Sequence, residues 1–239
     1  MIFMFRRRTF FTILIICALL VAVSCLIILN SQVLTTPTIS WQMAEHSFIV
    51  DPGHGGTFPG RVNDDVLEKD INLAISLYLH QYLQESGAVA ILTRDSDIDL
   101  IPEESKKESL KTQQRDDLQE RVNLALTENV DYFISIHCNS IPNEKWFGAQ
   151  CFYNPDDPES AKLAKAIQGR LNKQLNNADR EALQRVDTFL FRNNKIPTVI
   201  VECGFLSNPE EAQKLQDINY QQEIAYAIFL GISDYLGTT

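Results

Sequence analysis

Ser47-Phe48-Ile49-Val50-Asp51-Pro52-Gly53-His54-Gly55-Gly56 is the stretch from which the fold is read. Ser47 to Val50 is short, apolar and β-prone, and Asp51-Pro52-Gly53 brings the strand to a stop. A histidine among glycines comes next, so this strand carries a chemically active side chain to its own carboxyl end.

Working outward, strand and helix signals alternate. Glu68 to Ser86 carries apolar residues at Ile71, Ala74, Ile75, Leu77, Tyr78 and Tyr82, near a 3.6 period, and Gly87 follows as a stop. Val89 to Thr93 reads as a buried strand, and Asp95 to Thr112 as a long polar loop. Gln113 to Glu128 is an amphipathic helix. Tyr132 to Ile136 and Ala149 to Tyr153 read as strands, Glu159 to Leu175 as a helix, and Phe189 to Phe191 as a short strand. Thr198 to Val201 is a buried strand, Asn208-Pro209 opens a short helix, and Tyr220 to Leu236 closes the chain as a helix.

This order predicts an α/β fold. The expectation is a single domain with a twisted, largely parallel mixed sheet, flanked by helices on both faces and preceded by an N-terminal transmembrane helix. Thr9 to Leu29 lacks any charge and follows Arg6-Arg7-Arg8. About 20 such residues span a bilayer, and the arginines keep the N-terminus inside, which places the rest of the chain outside the cytoplasm. A cleaved signal peptide is the competing reading, but no small-x-small site follows the run. Residues 1–30 are thus an anchor or signal segment, 31–45 a polar linker, and 46–239 the folded domain.

The chain has 239 residues, 45% of them hydrophobic, and a formal net charge of −10. The domain is long enough for a real core, and the acidic balance excludes nucleic acid as the expected partner. Five cysteines show no CxxC spacing, so a structural cysteine zinc site is not expected. Cys138, Cys151 and Cys203 are read as buried packing thiols.

In a parallel sheet, ligands gather outside the carboxyl ends of the strands. Three strands here run into chemically loaded residues: His54, His137 and Glu202. Glu68 joins them where the loop after His54 returns to a helix. Two imidazoles and a carboxylate form the ligand set of many catalytic zinc sites, and a second carboxylate outside that set can act as general base. Spacing alone does not say which glutamate takes which role. Taken singly, each residue also has a plain reading: a satisfied loop histidine, or a carboxylate favoured by a helix N-terminus. Their convergence is what points to a site. His46 and His80 are read as bystanders.

Four motifs in order, Ile49–Gly56, Leu67–Asp70, Ile134–Ser140 and Val201–Asn208, make the chain resemble the zinc N-acetylmuramoyl-L-alanine amidases of the amidase 3 type. The resemblance covers about 47 to 236. Tyr82–Ala88, Thr93–Asp97 and Ile141–Gln150 are similar to its germination-specific, spore-cortex branch. The resemblance implies a Zn2+ cofactor held by His54, Glu68 and His137, with Glu202 as catalytic glutamate. The bond cut would join muramic acid to L-alanine in peptidoglycan, exposing muramic acid for the later lactam of spore cortex. Several family members also await an activating partner protein, and no residue here marks such a surface. Thr57–Arg61 departs from the family pattern. Arg94 and Asn139 are candidate substrate-binding residues, Arg94 through a bidentate fork onto a stem-peptide carboxylate. Arg115 and Arg121 are assigned structural roles. Alternatives are another zinc hydrolase of peptidoglycan, a peptidase or deacetylase, and a regulator that binds peptidoglycan without cutting it.

Overall fold

Strand β1 (Ser47–Pro52) lies inside a six-stranded sheet in the computed structural model, which describes residues 10, 12–21, 41–63, 65–175 and 179–238. Around it run β4 (Val89–Leu92), β5 (Tyr132–Asn139), β6 (Gln150–Tyr153), β7 (Leu183–Gln184) and β8 (Thr198–Phe205), in the order β4-β1-β5-β8-β6-β7. β4, β1, β5 and β8 are mutually parallel; β6 runs antiparallel to β8, and β7 parallel to β6. The sheet is therefore mixed and largely parallel, as the alternation predicts. A second, two-stranded sheet pairs β2 (Val62–Asn63) with β3 (Val66–Leu67) in the loop that returns from His54.

The helices are α1 (Trp41–Ala44), α2 (Glu68–Glu85), α3 (Leu110–Glu128), α4 (Pro158–Gln174), α5 (Phe189–Asn193), α6 (Pro209–Lys214) and α7 (Ile218–Thr238). They cover both faces because strand residues alternate sides. Val50, Ile134, Ile136 and Val201 pack with Ile75 and Leu79 of α2, Leu163 and Ile167 of α4, and Ile224 and Ile228 of α7. Ile49, Phe133 and Ile200 face the other way, onto Val122 and Ala125 of α3 and Leu190 and Phe191 of α5. Each such aliphatic or aromatic side chain contributes roughly 1.5–3 kcal/mol on burial.

Four expectations are corrected. β5 and β8 run beyond Ile136 and Val201 because their ladder continues, with His137 paired to Glu202. Phe189–Phe191 is not a strand but the start of α5; Thr188 caps it, its Oγ1 accepting from Phe191 N at 3.3 Å. The polar loop after Asp95 ends early, at Ser109, which caps α3 by accepting from Thr112 N at 3.3 Å. The expected linker ends before α1, whose Met43 is only 1% exposed.

The chain divides into two units, Met1–Thr38 and Ile39–Thr239. In the first, residues 12–21 are helical, and among the described residues no helix is long and apolar enough to cross a membrane. The expected transmembrane helix therefore has no support from the described residues. Residues 1–9, 11 and 22–30 of the expected anchor, and 31–40 of the expected linker, lie outside them.

Candidate metal centre

His54 stands two residues past β1, and the chain does not leave the sheet at once. Gly53 N still donates to Ile136 O at 2.9 Å. A Cβ on Gly53 would overlap the His137 imidazole, so glycine is what lets β1 pass under that ring. His54 adopts φ 64°, a left-handed conformation that costs a β-carbon residue energy and is held by its surroundings. Arg121 holds it by donating to His54 O at 2.8 Å.

Glu68 is the first residue of α2, where the helix dipole favours a carboxylate. Its Oε1 lies 3.2 Å from His54 Nε2 and 3.1 Å from His137 Nδ1. Cys138 N donates to the same oxygen at 3.2 Å, and Arg61 N donates to Oε2 at 2.8 Å. Gly60, at φ 69°, lets this loop close down: a Cβ there would lie 2.5 Å from Glu68 Oε2. Burial raises the Glu68 pKa, but the hydrogen bonds and charge of His137 and His54 outweigh it and hold the carboxyl far below the carboxylate range. For His137, burial lowers the pKa and Glu68 more than reverses that, so the ring is pushed up.

His54, Glu68 and His137 thus offer three ligand atoms within 4.8 Å of one another, a group of the kind that holds a metal ion. Glu202 joins them from the adjacent strand, in register with His137. It is 9% exposed, and its Oε2 is buried without a hydrogen-bond partner. Burial pushes its pKa up, with the His137 charge pulling the other way. A carboxyl whose charged form is disfavoured by burial is suited to accepting and returning a proton.

A groove of about 270 Å³ opens over these residues on the α3/α5 side. Gln114 and Leu118 of α3 line it together with Arg185, Phe189, Ile200 and Glu202. Sequence reading did not single out Gln114 or Arg185: Gln114 lies inside a polar helical stretch, and the two-residue, exposed β7 before Arg185 leaves no strand signal.

The two candidate substrate residues fare differently. Asn139 ends β5, half-buried, with its main-chain carbonyl accepting from Leu206 N at 2.8 Å. Arg94 is 2% exposed. Its guanidinium donates to Pro52 O, Gly53 O, Lys69 O and Ser96 O at 2.8–3.1 Å. No fork remains for a substrate carboxylate, so the expected substrate role gives way to one of tying the His54 loop to α2. Burial, with the neighbouring Arg121 charge, pushes the Arg94 pKa down to about 10.

Arg121, assigned a structural role, is 1% exposed and ion-paired with Asp51 and Asp117. The start of the divergent Thr57–Arg61 loop is pinned by two acids after β4: Gly56 N donates to Asp97 at 2.8 Å and Thr57 N to Asp99 at 3.0 Å. Cys138, Cys151 and Cys203 are free and buried, with thiols pushed up by burial.

Residues 48–234 match the Amidase_3 family model, described as N-acetylmuramoyl-L-alanine amidase. The germination-specific N-acetylmuramoyl-L-alanine amidase of Bacillus subtilis (strain 168) is 43% identical over 186 residues, covering 78% of this chain and 78% of that one. The CwlD amidase of Clostridioides difficile, solved in complex with the GerS lipoprotein, is 41% identical with a TM-score of 0.78, covering 81% of this chain and 100% of that one. The catalytic domain of CwlV from Bacillus (Paenibacillus) polymyxa is 26% identical with a TM-score of 0.69, covering 81% of this chain and 99% of that one. With a match that runs from β1 into α7, the chain belongs to the N-acetylmuramoyl-L-alanine amidase family.

Proposed function

We propose that the chain is a zinc amidase that cuts between the lactyl group of N-acetylmuramic acid and the L-alanine of the stem peptide, in peptidoglycan of the spore cortex. His54, Glu68 and His137 hold the metal, and Glu202 is the catalytic glutamate. One observation carries the reading: Glu68 Oε1 lies 3.1–3.2 Å from both imidazole nitrogens, beside a buried, unpartnered Glu202 oxygen. A tetrahedral zinc with arms of ~2.0–2.1 Å would set its donors about 3.3 Å apart; both Glu68–histidine separations match that, and all three ligand atoms lie within 4.8 Å of one another.

Bound zinc supplies polarisation of the scissile carbonyl and a lowered pKa, to roughly 7, for the attacking water. Glu202 Oε2 accepts the proton of that water and returns it to the departing alanine nitrogen. Its burial raises the proton affinity, which favours the first of these transfers. Arg121 and Arg94 fix the main chain around His54, and Cys138 N and Arg61 N orient the Glu68 carboxylate. Asn139, at the end of β5, is the candidate for a polar contact to the muramoyl group.

The germination-specific Bacillus subtilis relative supports the spore-cortex setting. Cleavage there exposes muramic acid for conversion to the lactam. The charge-free run after Arg6-Arg7-Arg8 supports an N-terminal membrane anchor with the enzyme outside the cytoplasm. The relative solved with a lipoprotein supports a protein partner for this chain as well.

Purified sacculi and zinc analysis test the reading. The parent enzyme is expected to bind one zinc and to release L-alanine amines while leaving glycan intact. Glu202→Ala should retain the zinc and lose about 10²–10⁴ in rate. Parental turnover by that variant, or reducing sugar ends as the product, would overturn the assignment.

A further inference from the structure

Arg185 is the one lysine or arginine among the described residues that line the groove over His137 and Glu202. It follows β7, and its main chain is fixed there by Arg185 N donating to Tyr153 O at 2.9 Å. Its guanidinium carbon sits 5.4 Å from the centre of the Phe152 ring, an aromatic partner on the neighbouring strand that limits where the head can go. Nε donates to Asp187 at 3.0 Å. The two outer nitrogens make no hydrogen bond among the described residues, and 41% of the side chain is exposed. The end-on fork of this groove-lining guanidinium is therefore without a hydrogen-bond partner among the described residues, in a protein of net charge −10 where such a cation stands out.

Resting on the proposed amidase reading, we propose that Arg185 is a specificity residue that binds the free α-carboxylate of the second stem-peptide residue. The scissile alanine nitrogen lies at the Glu202 end of the groove. A γ-linked glutamate one residue further places an α-carboxylate beside the chain, where a planar fork matches it by two parallel hydrogen bonds. Leu118, Phe189 and Ile200 leave an apolar bed for the alanine methyl between the two polar ends. Asp187 holds the side nitrogen and competes weakly for the same cation, as an exposed pair does.

The test uses full-length enzyme and two muramoyl-tripeptides that differ only in whether that α-carboxyl is a free acid or an amide. Parent enzyme should prefer the acid in kcat/KM by roughly 10- to 100-fold, the range of one charged hydrogen-bonded contact. Arg185→Gln should bring the acid-to-amide ratio close to one, acting through KM. Asp187→Asn, which removes the competing charge but keeps an acceptor for Nε, should move the ratio the other way. A merely structural Arg185–Asp187 pair would give both variants the same effect on both substrates, and that result overturns the proposal, as does an unchanged ratio in Arg185→Gln. If parent enzyme cleaves neither tripeptide while binding zinc, the amidase reading itself fails.

Discussion

Arg121 Nη1 lies 2.7 Å from Asp51 Oδ1, and the same guanidinium donates to His54 O at 2.8 Å. One side chain from α3 thus joins a buried carboxylate of β1 to the main chain of a histidine of the candidate metal centre. Arg121→Met should leave Asp51 and Asp117 as uncompensated buried charges, at a cost of about 3–5 kcal/mol in urea unfolding. It should also weaken zinc binding by about 10- to 100-fold in chelator competition, the usual effect of freeing a supported ligand. A variant with parental zinc affinity would show that the His54 carbonyl contact is incidental.

Asp51 makes the stability pH-dependent in a definite direction. Burial alone would raise its pKa, but the Arg121 charge and hydrogen bonds from Ser135, Thr93 and Arg121 win and lower it. Its stabilising contribution is then full above the unfolded value of about 3.9 and is lost as pH falls through the lower folded value. Asp51→Asn should be destabilised by roughly 3–5 kcal/mol at pH 7. The gap to parent should narrow below about pH 4. Urea midpoints measured from pH 3 to pH 7 decide; a gap that widens on acidification contradicts the sign.

Gly53 and Gly169 should respond to alanine in opposite ways. A Cβ on Gly53 meets the His137 ring, whereas one on Gly169, within α4, meets nothing within 4 Å. Gly53→Ala should displace the imidazole, cost about 1–3 kcal/mol and abolish stoichiometric zinc while circular dichroism stays parental. Gly169→Ala should stabilise by about 0.5–1 kcal/mol, since a helical glycine carries extra unfolded-state entropy. Retained zinc in Gly53→Ala would mean that the strand can slide away from the ring.

What could be seen in the sequence followed from where apolar runs stop. His54, His137 and Glu202 mark the ends of apolar strand segments, and Glu68 opens a periodic helix, so four distant residues were legible as one cluster. Strand lengths were less so: His137 and Glu202 lie within β5 and β8, because a cross-strand partner, not composition, decides where pairing ends. Phe189-Leu190-Phe191 fits a strand and a helix equally over three residues, and only the Thr188 cap separates them. Arg185 and Gln114 left no signal, since a groove wall is made by tertiary packing.

Arg94 is where the chain misleads most, because an arginine after a strand, at the edge that bears the site, looks free to meet substrate. Its donors instead reach four main-chain carbonyls, two of them at Pro52 and Gly53, just before His54. Arg94→Lys keeps the charge but loses the planar fork that serves several carbonyls at once. The expected result is a loss of about 1–3 kcal/mol in stability, from buried carbonyls left without donors. Zinc affinity should fall with it, and KM should respond equally for acid and amide tripeptides. An acid-selective rise in KM with unchanged stability would instead put Arg94 in contact with substrate and take that role from Arg185.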